Sequence, residues 1–298
     1  MDKILFRGAC TALVTPFLEG KVNYAMLERL LTYQLKSGIR TIVLCGTTGE
    51  ASTLSDSEKL EIFQRARAFV EDRCLLLAGT GSNCTQRTVA MSVAAEQAGM
   101  DGLLVVSPYY NKATEEGIYL HYRSVAEAVH IPLVVYNVPS RTGLDIPVSV
   151  YKKLSLIPNI AGVKEASGDI SKIAGILSAC GPDFGVWTGN DAHTVAAIAL
   201  GAGGVISVTA NAVPLAVNTM TEAALDGDMD TATAMNLRLH RLNELMFCQV
   251  NPIPIKAAMK MMGFDCGGCR LPLTDLDERY QNALRDALAD CVKGQLML

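Results

Sequence analysis

The chain has 298 residues, of which 50% are apolar, 19% are charged and 6% are aromatic. So large an apolar fraction must be buried in a core, which excludes a disordered or collagen-like chain. The formal net charge is −4 and there is no basic run, so nucleic acid is not expected as a partner, whereas a small anionic substrate is compatible with this charge.

Eight short apolar runs recur along the first three quarters of the chain and alternate with patterns at helical spacing. The runs are nearly continuous in apolarity and often β-branched, as in strands that are buried on both faces of a parallel sheet. Strands are predicted at residues 9–14, 41–45, 75–78, 103–106, 133–136, 160–163, 185–187 and 205–207. The alternating helices are predicted at residues 24–36, 57–71, 85–98, 115–129, 148–156, 169–180, 192–200 and 214–225.

This alternation predicts an α/β fold, a (β/α)₈ TIM barrel. A doubly wound sheet is the alternative, but no Gly-x-Gly-x-x-Gly sequence follows the first strand. Beyond residue 226 three helical patterns follow without strands between them, at residues 229–247, 254–262 and 275–292. We therefore predict a catalytic barrel over residues 1–226 and a C-terminal helical extension over residues 227–298, packed on the barrel.

Residues 192–221 contain no charged side chain and are long enough for a membrane helix. Gly201, Gly203 and Gly204 interrupt this stretch, so a buried helix, a turn and a core strand are expected instead of a membrane span. The N-terminus has no long apolar run, and no signal peptide is predicted. A cytoplasmic protein is therefore expected.

The nine cysteines do not predict a disulfide framework, because a chain of this length has a sufficient core of its own. Cys266 and Cys269 form one C-x-x-C pair without a second pair nearby, which is a weak metal signal. None of the four histidines pairs with an acid at metal-ligand spacing. No metal and no cofactor are predicted.

In such a barrel the reactive groups lie in the loops that follow the strands. Lys164 ends the sixth predicted strand and should point into or just above the core, because alternation directs Glu165 to the other face. Burial disfavours the charged ammonium, and a neutral amine can attack a ketone to form an imine. The structural alternative is an ion pair between Lys164 and Glu165.

Other polar residues follow neighbouring strands. Tyr136 ends the fifth strand, where a phenol can move protons at an imine, although a core tyrosine is an equal alternative. Thr47 and Thr48 lie in a glycine-flanked turn whose hydroxyl and N–H groups can bind a carboxylate, unless they serve only the turn. Arg141 carries a planar guanidinium suited to a carboxylate, and a solvated loop arginine is its alternative.

Three segments resemble the dihydrodipicolinate synthase family, also called 4-hydroxy-tetrahydrodipicolinate synthases, among the pyruvate-dependent class I aldolases that include N-acetylneuraminate lyase. They are Gly-Thr-Thr-Gly-Glu at 46–50, Tyr-Asn-Val-Pro-Ser-Arg-Thr-Gly at 136–143 and Gly-Val-Lys-Glu-Ala-Ser-Gly-Asp at 162–169. The resemblance extends essentially from end to end. It implies a lyase that condenses pyruvate with L-aspartate 4-semialdehyde through a lysine Schiff base, in the first committed step of diaminopimelate and lysine biosynthesis, without a cofactor or metal.

The resemblance also implies a role for individual residues. Lys164 corresponds to the Schiff-base lysine, and a proton relay consists of Tyr136, Thr47 and Tyr110. The remaining implied site residues are Thr48 for the pyruvate carboxylate, Arg141 for the semialdehyde carboxylate, and Gly189 and Ile206 as residues that line the site. In the family, the tyrosine at position 110 reaches into the neighbouring subunit, so a dimer is the smallest complete unit and a homotetramer made of two dimers is expected.

Two other functions compete with this interpretation. One is a related aldolase, either N-acetylneuraminate lyase or a 2-keto-3-deoxy sugar acid aldolase, and Arg141 argues against it because it suits the semialdehyde carboxylate. The other is a barrel that only senses a ligand, which predicts the loss of Lys164, Tyr136 or Thr47, and all three are present.

Many family members are inhibited by L-lysine at a cleft between subunits. Asn83 and Tyr109 match that pattern, but Lys59 and Arg87 stand where neutral or acidic residues are favoured. Weak or absent inhibition by L-lysine is therefore predicted.

Overall fold

The computed structural model describes residues 4–292. Its strands, in chain order, are β1 (Gly8–Ala12), β2 (Phe17–Leu18), β3 (Lys21–Val22), β4 (Thr41–Leu44), β5 (Leu75–Gly79), β6 (Gly102–Val106), β7 (Leu133–Asn137), β8 (Ile160–Glu165), β9 (Gly185–Thr188) and β10 (Gly204–Ser207). Eight of them form a closed parallel barrel in the order β1-β10-β9-β8-β7-β6-β5-β4, while β2 and β3 form a small antiparallel hairpin. The predicted TIM barrel is thus confirmed.

The helices confirm the predicted alternation, with small shifts at their ends. They are α1 (Tyr24–Lys36), α2 (Asp56–Val70), α3 (Thr85–Gln97), α4 (Glu115–Ala128), α5 (Pro139–Thr142), α6 (Val148–Leu154), α7 (Ile170–Cys180), α8 (Thr194–Ala199), α9 (Pro214–Leu225), α10 (Met229–Leu245), α11 (Ile253–Met261) and α12 (Glu278–Val292). The short α5 and the hairpin were not predicted, because elements of two to four residues carry no readable periodicity.

The predicted helix at 192–200 begins differently from the expectation. Residues Asp191–His193 form a 3₁₀ turn before α8. The Asn190 side chain accepts a hydrogen bond from the Ala192 amide, and the Thr194 hydroxyl donates to the Asp191 carbonyl. These local bonds stabilise the tight turn before the regular helix begins.

The barrel strands are buried on both faces, so two apolar layers result. One layer lies between the strands and the surrounding helices, and the other fills the barrel interior. At the end of the barrel where the strands begin, Trp187 stacks on Phe6 with ring centroids 4.6 Å apart, and its indole N–H donates to the Phe6 carbonyl at 3.2 Å. This packing closes one end of the barrel and leaves the opposite end for polar loops.

The three C-terminal helices pack on the barrel. Helix α10 lies against α9 and α12, and α11 also contacts α12. Leu242, Met246 and Ile255 from this region belong to the same core as the barrel helices. The division of the chain at residue 226 stays a prediction. In the part of the chain that the structure describes, no helix is both long and apolar enough to cross a membrane.

Candidate active site

Lys164 and Tyr136 lie side by side at the ends of β8 and β7, where their Cα atoms pair in register. Lys164 is 4% exposed, and its Nζ lies 4.3 Å from the centroid of the Tyr136 ring. The Tyr136 hydroxyl forms no hydrogen bond within residues 4–292, which leaves it available to a ligand. A buried amine beside a phenol is suited to the capture of a carbonyl compound.

Glu165 faces the opposite side of the barrel wall, as alternation predicted. Its carboxylate accepts hydrogen bonds from Asn137 Nδ2 at 3.0 Å and from the Tyr151 hydroxyl at 3.3 Å. Lys172, in α7, lies 3.8 Å from it. The alternative ion pair between Lys164 and Glu165 is therefore not formed, and the Lys164 amine points into the barrel mouth.

Gly189 has no side chain, and the Lys164 side chain occupies the space that a larger residue at position 189 would need. A Cβ atom at this position would lie 2.8 Å from Lys164 Cε and 2.7 Å from the Ala166 side chain. Both distances are below van der Waals contact, so any larger residue would displace the lysine. Gly189 thus borders the Lys164 side chain, and its role in the site stays a prediction.

The turn after β4 carries Thr47 and Thr48. Neither of their backbone amides is hydrogen-bonded within residues 4–292, and the Thr48 hydroxyl receives a hydrogen bond from Asn251 Nδ2 at 3.0 Å. The turn is bounded by two non-glycine residues with left-handed backbone, Cys45 (φ 52) and Glu50 (φ 55). Free amides in such a turn form an anion-binding concavity, which suits a carboxylate.

The C-terminal extension fixes this turn through a buried ion pair. Lys256 Nζ lies 2.5 Å from Glu50 Oε1, with side chains that are 3% and 1% exposed. The other Glu50 oxygen accepts from the Arg270 amide at 2.8 Å, and Lys256 also donates to the Gly268 carbonyl at 3.0 Å. Residues far apart in sequence thus hold the turn that carries Thr47 and Thr48 in one position.

Arg141 lies in α5, at the mouth of the barrel. Its Nη2 donates to the backbone carbonyl of Asn251 at 2.9 Å, and the residue as a whole is exposed. Free guanidinium N–H groups at the mouth can bind a second carboxylate.

Two cavities meet at these residues. The larger, of about 1020 Å³, is lined by Lys164, Tyr136, Thr48, Arg141 and Gly189 among others. The smaller, of about 470 Å³, includes Thr47. Both cavities share Tyr136, Val138, Arg141 and Asn251. The structure therefore brings together six of the eight predicted site residues.

The other two predicted residues lie elsewhere. Tyr110 is 89% exposed, has a left-handed backbone (φ 74) and lines neither cavity. Ile206 is fully buried in the interior of the barrel, in the same apolar cluster as Tyr136. Ile206 thus supports the floor beneath the site, whereas Tyr110 projects away from its own chain.

Sequence reasoning missed the residues that the extension supplies. His240, Asn243, Glu244 and Phe247 of the α10 region and Asn251 line the larger cavity. Their only sequence signal is the Asn-Pro pair at 251–252, which is typical of any turn.

All nine cysteines are free thiols. Burial raises the pKa of Cys266 to about 12 and that of Cys269 to about 11, so both stay protonated at neutral pH. Among residues 4–292, no group of three or more His, Cys, Asp or Glu side chains could hold a metal ion.

Comparisons with known proteins agree with this fold. A model of the dihydrodipicolinate synthetase family matches residues 5–291. A 4-hydroxy-tetrahydrodipicolinate synthase of Acetivibrio thermocellus is 44% identical over 97% of this chain and 99% of its own length. A solved dihydrodipicolinate synthase of Cyanidioschyzon merolae with lysine bound is 38% identical, with a TM-score of 0.94 over 98% of this chain and 100% of that one. A solved variant described as monomeric is 36% identical, with a TM-score of 0.95 over 98% of both chains.

Proposed function

The chain belongs to the dihydrodipicolinate synthetase family, and we propose on this premise that it condenses pyruvate with L-aspartate 4-semialdehyde to give 4-hydroxy-tetrahydrodipicolinate. The observation that carries the proposal is the buried amine of Lys164 beside the Tyr136 phenol and a carboxylate-binding turn. Neither a cofactor nor a metal takes part in the proposed reaction. A biosynthetic role with small metabolites as substrates supports a cytoplasmic location.

The first half of the reaction activates pyruvate. The Lys164 amine attacks the keto carbon and water leaves, which forms an imine, while the Thr47 and Thr48 turn binds the pyruvate carboxylate. The imine accepts electrons, so a methyl proton can leave and an enamine forms. Tyr136 lies beside the nitrogen and moves protons to and from the reacting oxygen and carbon.

The second half joins the substrates. The enamine carbon attacks the aldehyde carbon of the semialdehyde, whose carboxylate is bound by Arg141. The substrate amine then attacks the imine carbon, the bond to Lys164 breaks, and the ring closes with release of the free lysine. The groups that these steps use all line the two cavities.

A related sugar acid aldolase is the alternative function. It is tested by the consumption of pyruvate with L-aspartate 4-semialdehyde, against the cleavage of N-acetylneuraminate and of 2-keto-3-deoxy sugar acids. Turnover of the semialdehyde alone supports the proposal, whereas preferential cleavage of a sugar acid would refute it.

Arg141→Ala should weaken the use of L-aspartate 4-semialdehyde while pyruvate binding changes little. Loss of a charge-assisted bidentate contact costs about 1.5–3 kcal/mol, which is about 10- to 150-fold in kcat/KM. Steady-state kinetics with each substrate varied in turn would measure this. Arg141→Lys is the matched control, because it keeps the charge without the planar fork, and its defect should be intermediate. An unchanged kcat/KM for the semialdehyde in the alanine variant would contradict the role.

We further propose a dimer in which Tyr110 completes the partner's proton relay, within a homotetramer. The exposure of Tyr110 and its absence from both cavities of its own chain support this arrangement. Tyr110→Phe should reduce kcat by about 10²- to 10⁴-fold, the usual contribution of a general acid or base, with the fold intact by circular dichroism.

A subunit-mixing experiment tests the shared site directly. Mixing Tyr110→Phe with Lys164→Ala subunits creates mixed dimers with one complete site each, so random pairing should restore about a quarter of the wild-type activity. No recovery after verified subunit exchange, or full activity of a proven monomer, would show that each chain has a complete site of its own.

Weak or absent inhibition by L-lysine is expected because cationic side chains line the smaller cavity. Lys59, Asn83, Arg87 and Tyr109 line it together. Two like charges about 4 Å apart repel by about 1–4 kcal/mol, so the ammonium of a lysine ligand is disfavoured beside Arg87. Asp56, 4.0 Å from Lys59 Nζ, offsets part of this charge.

Activity at saturating pyruvate should be measured from micromolar to tens of millimolar L-lysine. Arg87→Glu is the comparison variant and should be inhibited more strongly than the wild type. Sub-millimolar inhibition of the wild type would refute the prediction.

A further inference from the structure

Asn251 connects the two carboxylate-binding groups of the site. It lies between α10 and α11, is 4% exposed and lines both cavities. Its side-chain N–H donates to the Thr48 hydroxyl at 3.0 Å, and its backbone carbonyl accepts from Arg141 at 2.9 Å. Its side-chain oxygen Oδ1 is buried and has no hydrogen-bond partner among residues 4–292. Buried polar atoms normally have partners, so this oxygen is free to bind a ligand.

The chemistry of Thr48 fixes which way the Asn251 amide points. To bind a carboxylate, the Thr48 hydroxyl has to donate its proton, and it then accepts only from an N–H group. The Asn251 nitrogen therefore faces Thr48. Its oxygen, an acceptor, is left for the substrate.

The covalent structure of the second substrate shows what that oxygen can bind. In an α-amino acid, the amine and the carboxylate share one carbon, so the group that binds the amine must lie next to Arg141. In ring closure the amine attacks the imine carbon, which carries the carboxylate bound at Thr48. The amine thus has to lie between Arg141 and Thr48, and Asn251 contacts both.

We propose that Asn251 Oδ1 accepts a hydrogen bond from the α-amino group of the semialdehyde, which makes Asn251 a specificity-determining residue. The proposal rests on the proposed function. In this position the amide selects substrates that carry an amine and directs the amine toward the imine carbon.

A second buried amide in the larger cavity, that of Asn243, is a useful contrast. Asn243 accepts from the Thr209 hydroxyl at 2.7 Å through Oδ1, and its unpartnered atom is the donor Nδ2, which cannot bind an ammonium group.

The test compares the semialdehyde with its analogue that lacks the amine, succinate semialdehyde. At saturating pyruvate, KM is measured for aspartate semialdehyde and the competitive inhibition constant for succinate semialdehyde, in the wild type and three variants. Asn251→Ala should lower the preference for the amine-bearing compound by about 10- to 100-fold, as expected for a hydrogen bond to a charged group. Asn251→Asp retains an acceptor oxygen and should retain the preference, although its charge weakens pyruvate binding. Asn243→Ala should leave the preference unchanged.

Equal losses of affinity for both compounds in Asn251→Ala would overturn the proposal, because Asn251 would then act only by positioning Thr48 and Arg141. If the alanine variant does not fold, Asn251→Asp decides, and loss of the preference there overturns the proposal. Failure of the wild type to turn over aspartate semialdehyde would refute the proposed function itself. That outcome is distinguishable, because it does not involve a variant.

Discussion

Replacement of Lys164 by alanine is expected to abolish covalent capture of pyruvate and nearly all synthase activity. The imine cannot form without the amine, and activity should fall by at least about 10³-fold, as when a nucleophile is removed from other covalent enzymes. Borohydride reduction in the presence of pyruvate, followed by peptide mass spectrometry, should locate the adduct at Lys164 in the wild type and detect none in the variant.

Lys172 is the matched control for this experiment. Its side chain is only 9% exposed, but it lies outside the barrel, where it forms ion pairs with Asp145 and Glu165. Lys172→Ala should therefore still be trapped by borohydride at Lys164. An adduct on any other lysine, or full activity of Lys164→Ala, would show that the nucleophile has been assigned incorrectly.

Among the proposed substitutions, replacement of Lys256 by methionine should lower the free energy of unfolding most. Methionine keeps most of the side-chain volume, but it leaves the Glu50 carboxylate buried without its counter-ion. Breaking a buried ion pair from one side costs about 3–5 kcal/mol. The free energy of unfolding, measured by urea denaturation of the full chain, should fall by this amount. The KM for pyruvate should rise as well, because the turn that carries Thr47 and Thr48 loses an anchor.

The double variant Lys256→Met with Glu50→Gln is the control, since it removes the uncompensated charge. It should recover part of the lost stability, and the coupling between the two single changes should be large because the groups are in contact. Additive effects, or an unchanged unfolding free energy for Lys256→Met, would show that the pair contributes little to the fold.

The barrel and the reactive pair could be predicted from sequence for a physical reason. Strands that are buried on both faces become continuous apolar runs, and a polar residue at the end of such a run, such as Lys164 or Tyr136, is conspicuous. The direction of Lys164 also follows from local alternation with Glu165, so no knowledge of distant packing is needed.

The contribution of the extension could not be predicted in the same way. Asn251 and Thr48 are 203 residues apart in sequence, and their contact depends on how α10 and α11 pack against the barrel. Lys256 lies among the buried residues of α11, and its burial makes sense only with Glu50 opposite. The hairpin of β2 and β3 was missed because two-residue strands show no alternation.

The buried pair of Lys256 and Glu50 also places the completion of the pocket late in the synthesis of the chain. Synthesis proceeds from the N-terminus, and folding begins before the chain is finished. A nascent chain that ends after α9 already carries all eight barrel strands and the Lys164 amine. It still lacks Lys256 and Arg270, which hold the turn after β4 through Glu50, and Asn251, which lines both cavities. The Lys164 amine is thus synthesised well before the residues that line the rest of its pocket, so the pocket is complete only after the extension has been made.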